Sequence, residues 1–322
     1  MKCLYCGKEI HDDASEEEKK TQWHKQCVHA FFGMEHLPDI DISEQNLEEM
    51  VRKSTGKGTT VTGVQKKLSL HYDPVSMRLT LIGEPAGYIL KPGSEQYPYI
   101  CEFEDAGMRI CEAAGIRTVN HALIITDQSY AYITRRADRI ISDDGIAYQK
   151  LAMEDFCQLS GRLTENKYQG SAESCGKVIR RCSSRYGTDL SEFFMRLIMS
   201  FMIGNSDMHN KNYSLIETEP GNRTYVLSPA YDLLPVNLIL AEDQEESALT
   251  VNGKKRNLHR NDFLKCAEGA GLNRKAAEKM IDMLCSRKEA YLKAAQESFL
   301  PAAEQDKLIS LIEERISRLI AH

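Results

Sequence analysis

Five polar side chains have types and spacing that suit the transfer of a phosphoryl group. Lys91 ends a short apolar run and Glu104 lies in the next periodic segment, the order in which kinases use a strand lysine and a helix glutamate to hold ATP phosphates. Asp207 and Asn212 have the Asp-x4-Asn spacing of a catalytic loop, in which the aspartate accepts a hydroxyl proton and the asparagine binds Mg²⁺. Asp232, after a later apolar run, supplies a second oxygen ligand of the kind Mg²⁺ prefers. Each motif alone also fits a plain turn, but the ordered set predicts phosphoryl transfer.

A segment rich in glycine, threonine and lysine, residues 54–67, precedes Lys91. Its glycines would let backbone N–H groups approach phosphates closely. The P-loop pattern GxxxxGK[ST] is absent, and such a stretch taken alone also fits an ordinary loop. We expect a loop here that opens onto a strand.

Two pairs of metal-ligand residues lie near the N-terminus. Cys3 and Cys6 form a Cys-x2-Cys pair, while His24 and Cys27 form a His-x2-Cys pair. Two close pairs of this kind match a tetrahedral, structural Zn²⁺ site. Roughly thirty residues cannot build an apolar core of their own, so the metal would supply the order. The alternative is two reduced cysteine pairs beside an unrelated histidine. Substitute ligands would be His11 and His29.

Composition and charge exclude several classes of function. The chain has 322 residues and a net charge of −6, which argues against non-specific nucleic-acid binding because counterion release needs a basic surface. It has no apolar run of the roughly 18 residues that a membrane span needs, and its start lacks the apolar stretch of a secretory signal. We therefore expect a cytoplasmic protein without membrane contact. The cysteines from Cys101 to Cys285 are scattered and should be reduced and inert.

A few regular elements must position these groups. The apolar run at 87–91 predicts a strand that ends at Lys91, and the periodicity over 101–114 predicts a helix that carries Glu104. Residues 193–203 are apolar on all sides and predict a buried helix, which leads into a polar loop and then a strand at 213–216. The region after about 258 is helical in pattern, and its last apolar stripe should pack on the same lobe.

Together these residues resemble the HipA-like serine/threonine kinases of bacterial toxin–antitoxin systems. The matching stretches follow the family order and lie at 61–68, 88–92, 133–139, 154–158, 167–168, 204–215 and 229–234. The resemblance implies an α+β, two-lobed protein-kinase-like fold. It divides the chain into a zinc-ribbon-like module at 1–33, an N-lobe with the Gly-rich loop at 34–137 and a helical C-lobe with the catalytic loop at 138–322.

The resemblance also implies a role for each matching residue. Asp207 would be the catalytic base, with Lys91 on ATP and Glu104 oriented toward it. Asn212 and Asp232 would bind Mg²⁺. Contacts to ATP would come from the Gly-rich loop, the strand lysine, the hinge and the catalytic region: Thr62, Gly63, Val64, Gln65, Lys66, Lys67, Lys91, Arg135, Arg136, Ala137, His209, Asn210, Asn212, Tyr231 and Asp232. Autophosphorylation of the Gly-rich loop, which ejects it in this family, would fall on Thr60 and Thr62.

The sequence departs from the family pattern at three places. The hinge reads Arg135-Arg136-Ala137-Asp138-Arg139 where the family usually has Glu-Arg-Phe-Asp-Arg, so an acid and an aromatic beside adenine are lost. Threonines stand where the autophosphorylated residues are usually serines. Longer HipA proteins carry a subdomain of roughly 100 residues before the Gly-rich loop, where this chain has only the predicted zinc module. In this respect it resembles the shorter, HipT-like kinases, in which that subdomain is missing or encoded separately.

The residues and the resemblance together predict a Mg·ATP-dependent protein serine/threonine kinase. The resemblance implies that it acts as a growth-inhibiting toxin or as a regulated relative of one. Its expected partners are a protein substrate, such as an aminoacyl-tRNA synthetase or another translation component, and a HipB-like antitoxin, with DNA reached only through that partner. One alternative is a small-molecule or lipid kinase of the same fold. Another is a non-catalytic nucleotide-sensing module. The retained lysine, base and metal ligands argue against this second alternative.

Overall fold

The computed structural model describes residues 1–40, 67–73, 75–81, 86–126, 129–141 and 148–321. The chain forms two compact units, the first made of 1–105 with 119–150 and the second of 106–118 with 151–322. The lobe boundaries drawn from the sequence stay a prediction. Among the described residues, no helix is both long and apolar enough to cross a membrane.

The elements of the first unit are, in chain order, α1 (Glu16–Thr21), α2 (Lys25–Phe32), β1 (Leu68–Asp73), β2 (Arg78–Thr80), β3 (Tyr88–Lys91), the start of α3 (Ile100–Ala113), β4 (His121–Ile125), β5 (Tyr130–Arg135), β6 (Arg139–Ile141) and β7 (Tyr148–Lys150). In the described part of this unit, five of the strands form an antiparallel sheet with the order β2-β1-β3-β5-β4. Central strand β3 buries Tyr88 and Leu90 completely. The strand and helix predicted at 87–91 and 101–114 are confirmed to within one residue.

The N-terminal residues share a core with this sheet. Phe31 and Phe32 on α2 pack against Tyr88 of β3, with ring centroids 6.1 and 5.3 Å away. Trp23 is 1% exposed and donates its indole N–H to the carbonyl oxygen of Leu123 on β4 at 3.2 Å. The N–H of Leu123 in turn donates to the carbonyl oxygen of Leu4 at 3.3 Å. The first 33 residues therefore cover part of the β4 edge, whose backbone groups would otherwise need other partners.

The second unit is mainly helical. Its elements are the end of α3, β8 (Met153–Asp155), α4 (Phe156–Leu159), α5 (Ala172–Cys182), α6 (Tyr186–Ile203), β9 (Ser214–Glu217), β10 (Tyr225–Leu227), α7 (Val236–Ile239), α8 (Arg260–Ala270), α9 (Arg274–Ser286), α10 (Lys288–Gln296) and α11 (Ala302–Ile320). Strands β8, β9 and β10 form an antiparallel sheet with β9 in the middle. Helix α6 is buried on nearly all sides and packs against α5, α9 and α11, which confirms the prediction of an interior helix that leads into the polar loop.

A glycine in α3 marks a close contact between helix and backbone. A Cβ atom at Gly107 would lie 2.0 Å from the carbonyl oxygen of Leu233, just after Asp232. We expect Gly107→Ala to lower the free energy of unfolding by about 2–3 kcal/mol, because the backbone at Leu233 has to move to accept the methyl group. Gly187→Ala is the matched control, since a Cβ at this other helical glycine meets no atom within 4 Å. Denaturant unfolding should separate the two variants, and equal stability would contradict the expectation.

Candidate active site and metal centre

In the first unit, the structure brings together the lysine and the glutamate singled out in the sequence. Lys91 ends β3 and its ammonium group donates a hydrogen bond to the Glu104 carboxylate on α3. The two side chains are 5% and 1% exposed. The Lys91 ammonium also lies 5.3 Å from the ring centroid of Tyr132, which faces it on β5. A buried charge pair of this kind costs desolvation energy on both sides, so its presence at a strand end favours a functional role over a structural one.

Neutralising Glu104 should therefore affect both stability and nucleotide binding. We expect Glu104→Gln to lower the free energy of unfolding by about 3 kcal/mol, because Lys91 stays buried with a weaker partner. We also expect the KM for ATP to rise about tenfold as the lysine loses its orientation.

Glu102→Gln is the matched control on the same helix. Burial raises the pKa of Glu102, so removal of its charge should leave stability unchanged or slightly higher at neutral pH. Equal losses in the two variants, measured by thermal unfolding and ATP titration, would contradict the special role of the Glu104 pair.

In the second unit, the polar loop at 204–213 fixes the backbone of Asp207. The loop begins at Gly204, whose φ of 73° ends α6 in a left-handed turn. The N–H of Asp207 donates to Oδ1 of Asn205 at 3.2 Å, and the Asp207 carbonyl oxygen accepts from Nδ2 of Asn212 at 3.0 Å. The Asp207 carboxylate accepts a hydrogen bond from the Tyr168 hydroxyl at 2.6 Å. The candidate base is thus held at its main chain and at its side chain.

The second aspartate occupies a strained backbone position. Asp232 has a φ of 57°, which is unfavourable for a residue other than glycine and is typical of functional sites. Its carbonyl oxygen accepts a hydrogen bond from Nδ2 of Asn205 at 3.0 Å. Asn205, which is 1% exposed, therefore links the main chain of Asp207 to that of Asp232. The sequence interpretation missed Asn205, because the only signal was its place in a polar loop, outside the Asp-x4-Asn pair.

Asn212 and Asp232 carry the donor types that a hard cation prefers. Since Asn212 uses its amide nitrogen on Asp207, its Oδ1 remains as the ligand atom of this side chain. Asp232 would add a carboxylate, and a carboxylate with an amide oxygen and substrate phosphates is how Mg²⁺ is usually held.

Three further predicted contacts of the nucleotide lie near this loop. Burial lowers the pKa of His209 to about 4, so its imidazole is neutral at physiological pH. Asn210 is buried, and its side-chain amide donates to the carbonyl oxygens of Lys167 and Gln169 at 2.9 and 2.8 Å. The Tyr231 hydroxyl lies 2.6 Å from the Ser214 hydroxyl. The side-chain nitrogen of Asn210 thus bonds to residues 167 and 169, and its oxygen accepts from the Cys175 thiol at 3.4 Å. For all three residues, a role beside the nucleotide stays a prediction.

The predicted hinge is organised by its aspartate. Arg135 ends β5, and the N–H of Arg136 donates to the carbonyl oxygen of Gly87 at 2.9 Å. Although burial acts in the opposite direction, the guanidinium groups of Arg136 and Arg139 lower the pKa of Asp138. Both arginines donate hydrogen bonds to the Asp138 carboxylate, and these three positions match the family pattern. The departures from that pattern are Arg135 and Ala137. Ala137 is half-buried.

The predicted Gly-rich loop falls mostly outside the described residues, as do Thr60, Thr62, Gly63, Val64, Gln65 and Lys66. Lys67 is described and lies half-exposed directly before β1. Its assignment to the ATP phosphates, like those of its neighbours, stays a prediction.

The N-terminal pairs converge on one point. The ligand atoms of Cys3, Cys6, His24 and Cys27 all lie within 4.8 Å of one another. Nδ1 of His24 is 3.4 Å from the Cys6 sulfur and 3.8 Å from the Cys27 sulfur. Among the described residues, His24 completes the cluster, while the alternatives at 11 and 29 are exposed and outside it.

Two observations show that this cluster suits a metal ion. Burial, together with the thiols of Cys3 and Cys6, raises the pKa of the Cys27 thiol, because thiolates this close repel one another. A cation bound between the three sulfurs would offset this repulsion and stabilise the thiolates. Nε2 of His24 lies 3.2 Å from the carbonyl oxygen of Glu9, the kind of outer hydrogen bond that orients a ligating imidazole. Three sulfurs and one nitrogen are the donor set of a closed zinc site.

Comparison with known proteins identifies the family. Residues 59–292 match the model of the HipA-like C-terminal domain. A putative kinase of Haemophilus influenzae is 26% identical over 310 residues, and the match covers 88% of each protein. The serine/threonine-protein kinase toxin HipA of Shewanella oneidensis is 24% identical over 204 residues, which cover 58% of this chain and 45% of that protein.

A solved structure supports the same assignment at the level of the fold. The HipA chain of Shewanella oneidensis, determined in a complex of HipA, HipB and operator DNA, matches with a TM-score of 0.71. The match has 18% sequence identity and covers 84% of this chain and 70% of that chain. The predicted two-lobed α+β kinase fold and the predicted resemblance are therefore confirmed. Because the family model spans most of its length, this chain belongs to the family of kinases with a HipA-like C-terminal domain.

Proposed function

We propose that this chain is a Mg·ATP-dependent protein serine/threonine kinase of the HipA-like toxin type. The observation that carries the proposal is the setting of Asp207, a partly exposed carboxylate whose backbone is held by two asparagine side chains. A general base needs this combination of access and fixed position. The buried pair of Lys91 and Glu104 supports the same conclusion, because it holds a cation ready for an anionic ligand.

In the proposed reaction, the chain's residues orient the reactants and accept one proton. Lys91, held by Glu104, would bind ATP phosphates. Asp207 would accept the proton of a serine or threonine hydroxyl while that oxygen bonds to the γ-phosphorus. The bond from the γ-phosphorus to the bridging oxygen breaks and ADP leaves. Asn212 and Asp232 would hold Mg²⁺, which supplies positive charge to the phosphates.

The regulation and partners follow from the family as part of this proposal. Each phosphate added by autophosphorylation at Thr60 or Thr62 would place roughly two negative charges beside the bound phosphates and oppose ATP binding. Since the Shewanella structure contains HipB and operator DNA, we propose a HipB-like antitoxin as partner, with DNA reached through it. The net charge of −6 agrees with a DNA contact that needs a basic partner. A translation component in the cytosol is the proposed substrate.

The deciding experiment supplies γ-labelled ATP and Mg²⁺ to the purified chain and compares three acceptors: the chain itself, the proteins of a cell extract and lipid vesicles. Label on serine or threonine of proteins supports the proposal, and chelation of Mg²⁺ should abolish it. Label on lipid alone would favour a lipid kinase. Binding of ATP without transfer to any acceptor would favour a nucleotide-sensing module.

A further inference from the structure

Tyr168 makes a contact that assigns it to the site of the acceptor hydroxyl. Its own hydroxyl donates to Oδ1 of Asp207 at 2.6 Å, and the side chain is 44% exposed. Burial of the hydroxyl end and the bond to Asp207 both raise the pKa of Tyr168, so the phenol stays protonated and remains a donor. One of the two carboxylate oxygens of the base is therefore occupied by a fixed neutral donor.

The position of Tyr168 is set by the catalytic loop itself. The side chain of Asn210 binds the carbonyl oxygens on both sides of Tyr168, at Lys167 and Gln169. The Tyr168 ring meets the imidazole of His209 edge-on, with centroids 5.1 Å apart and planes 79° apart. The Lys167 ammonium lies 4.9 Å from the centroid of the same ring. His209 and Asn210, which follow Asp207 in the catalytic loop, thus hold in place the tyrosine that donates to Asp207.

We propose that Tyr168 is a positioning residue of the acceptor site, which fixes Oδ1 of Asp207 so that Oδ2 accepts the proton of the substrate hydroxyl. This inference rests on the proposed function, because it concerns the same base. A carboxylate that is free to rotate presents either oxygen in many orientations, and a single fixed donor removes most of them.

A purely structural role explains the contact less well. The Asp207 carboxylate is itself partly exposed, and a hydrogen bond between two partly exposed groups contributes little to stability. The two hydrogen bonds from the Asn210 side chain already hold the main chain of residues 167–169 in place, without the phenol hydroxyl. The hydroxyl should therefore influence turnover more than folding.

The test is the kinetics of Tyr168→Phe, which removes one oxygen atom and keeps the ring. We expect the maximal rate of self-labelling from Mg²⁺ and γ-labelled ATP to fall about tenfold, since an oriented bond to a charged base is lost. The KM for ATP should stay within about twofold of wild type, and the melting temperature should not change. Tyr186→Phe is the matched control, because this tyrosine on α6 is 54% exposed.

The outcomes separate this inference from the proposed function. A loss in Tyr168→Phe no larger than in Tyr186→Phe overturns the role of Tyr168 and leaves the kinase assignment in place. A lower rate accompanied by weaker ATP binding or a lower melting temperature also overturns it, because a structural defect then explains the loss. Failure of the wild-type chain to label any acceptor overturns the proposed function and the role of Tyr168 together.

Discussion

An Asp207→Asn variant is expected to transfer phosphate about a thousandfold more slowly than the wild-type chain. The amide has nearly the shape of the carboxylate but cannot take the proton of an attacking hydroxyl. Its oxygen can still accept the Tyr168 hydroxyl, and the main-chain bonds to Asn205 and Asn212 do not involve the substituted atom. The fold should therefore survive, with a change in unfolding free energy within about 0.5 kcal/mol. Initial rates with γ-labelled ATP and Mg²⁺, measured beside ATP binding, would give both quantities.

Asp306→Asn is the matched control for this substitution. Asp306 is an exposed residue of α11, so the same chemical change there should leave the rate unaltered. If Asp207→Asn labels acceptors at the wild-type rate, Asp207 is not the base. If the rate falls only because ATP no longer binds, the residue serves nucleotide binding and the assignment is equally lost.

The parts of the site that the sequence predicted are those whose signal is local. The Cys-x2-Cys and His-x2-Cys pairs could be read directly, because ligand spacing within each pair is set by a single turn of chain. The periodicity of α3 and the apolar character of α6 likewise predicted elements that the structure contains. Lys91 and Glu104 could be paired only because a strand lysine followed by a helix glutamate is a known arrangement.

The parts of the site and fold that the sequence does not predict depend on contacts between distant stretches of the chain. Asn205 meets Asp232 across 27 residues, and Tyr168 meets Asp207 across 39. Residues 167–168 were recognised as part of the family pattern, but nothing in their types indicates a bond to the base. The packing of the first 33 residues on the sheet was also missed, because Trp23 and Leu123 are 100 residues apart. Composition and periodicity carry no information about which distant backbone group a side chain will reach.

Loss of the metal is the second large effect that we expect, because the first 33 residues pack on the sheet of the first unit. Cys27→Ser should abolish zinc binding and disorder the first 33 residues, because roughly 10 kcal/mol or more of zinc-binding free energy orders small modules of this kind. Trp23 is the only tryptophan of the chain and is 1% exposed, so its emission should shift to the red. Since Phe31 and Phe32 pack on Tyr88, at the start of the strand that ends in Lys91, ATP should also bind more weakly.

The measurements are zinc content after dialysis, tryptophan emission and ATP titration on the whole 322-residue chain. Cys182→Ser is the matched control, since Cys182 ends α5, outside the metal cluster, and should keep one zinc per chain. Removal of zinc from the wild-type chain with a chelator should reproduce the red shift, and added zinc should reverse it, which distinguishes a metal effect from a misfolded variant. Purified wild-type protein without zinc, or unchanged emission on chelation, would contradict the assignment. If the red shift occurs while ATP affinity stays the same, the zinc orders the N-terminal residues alone and the sheet holds Lys91 without them.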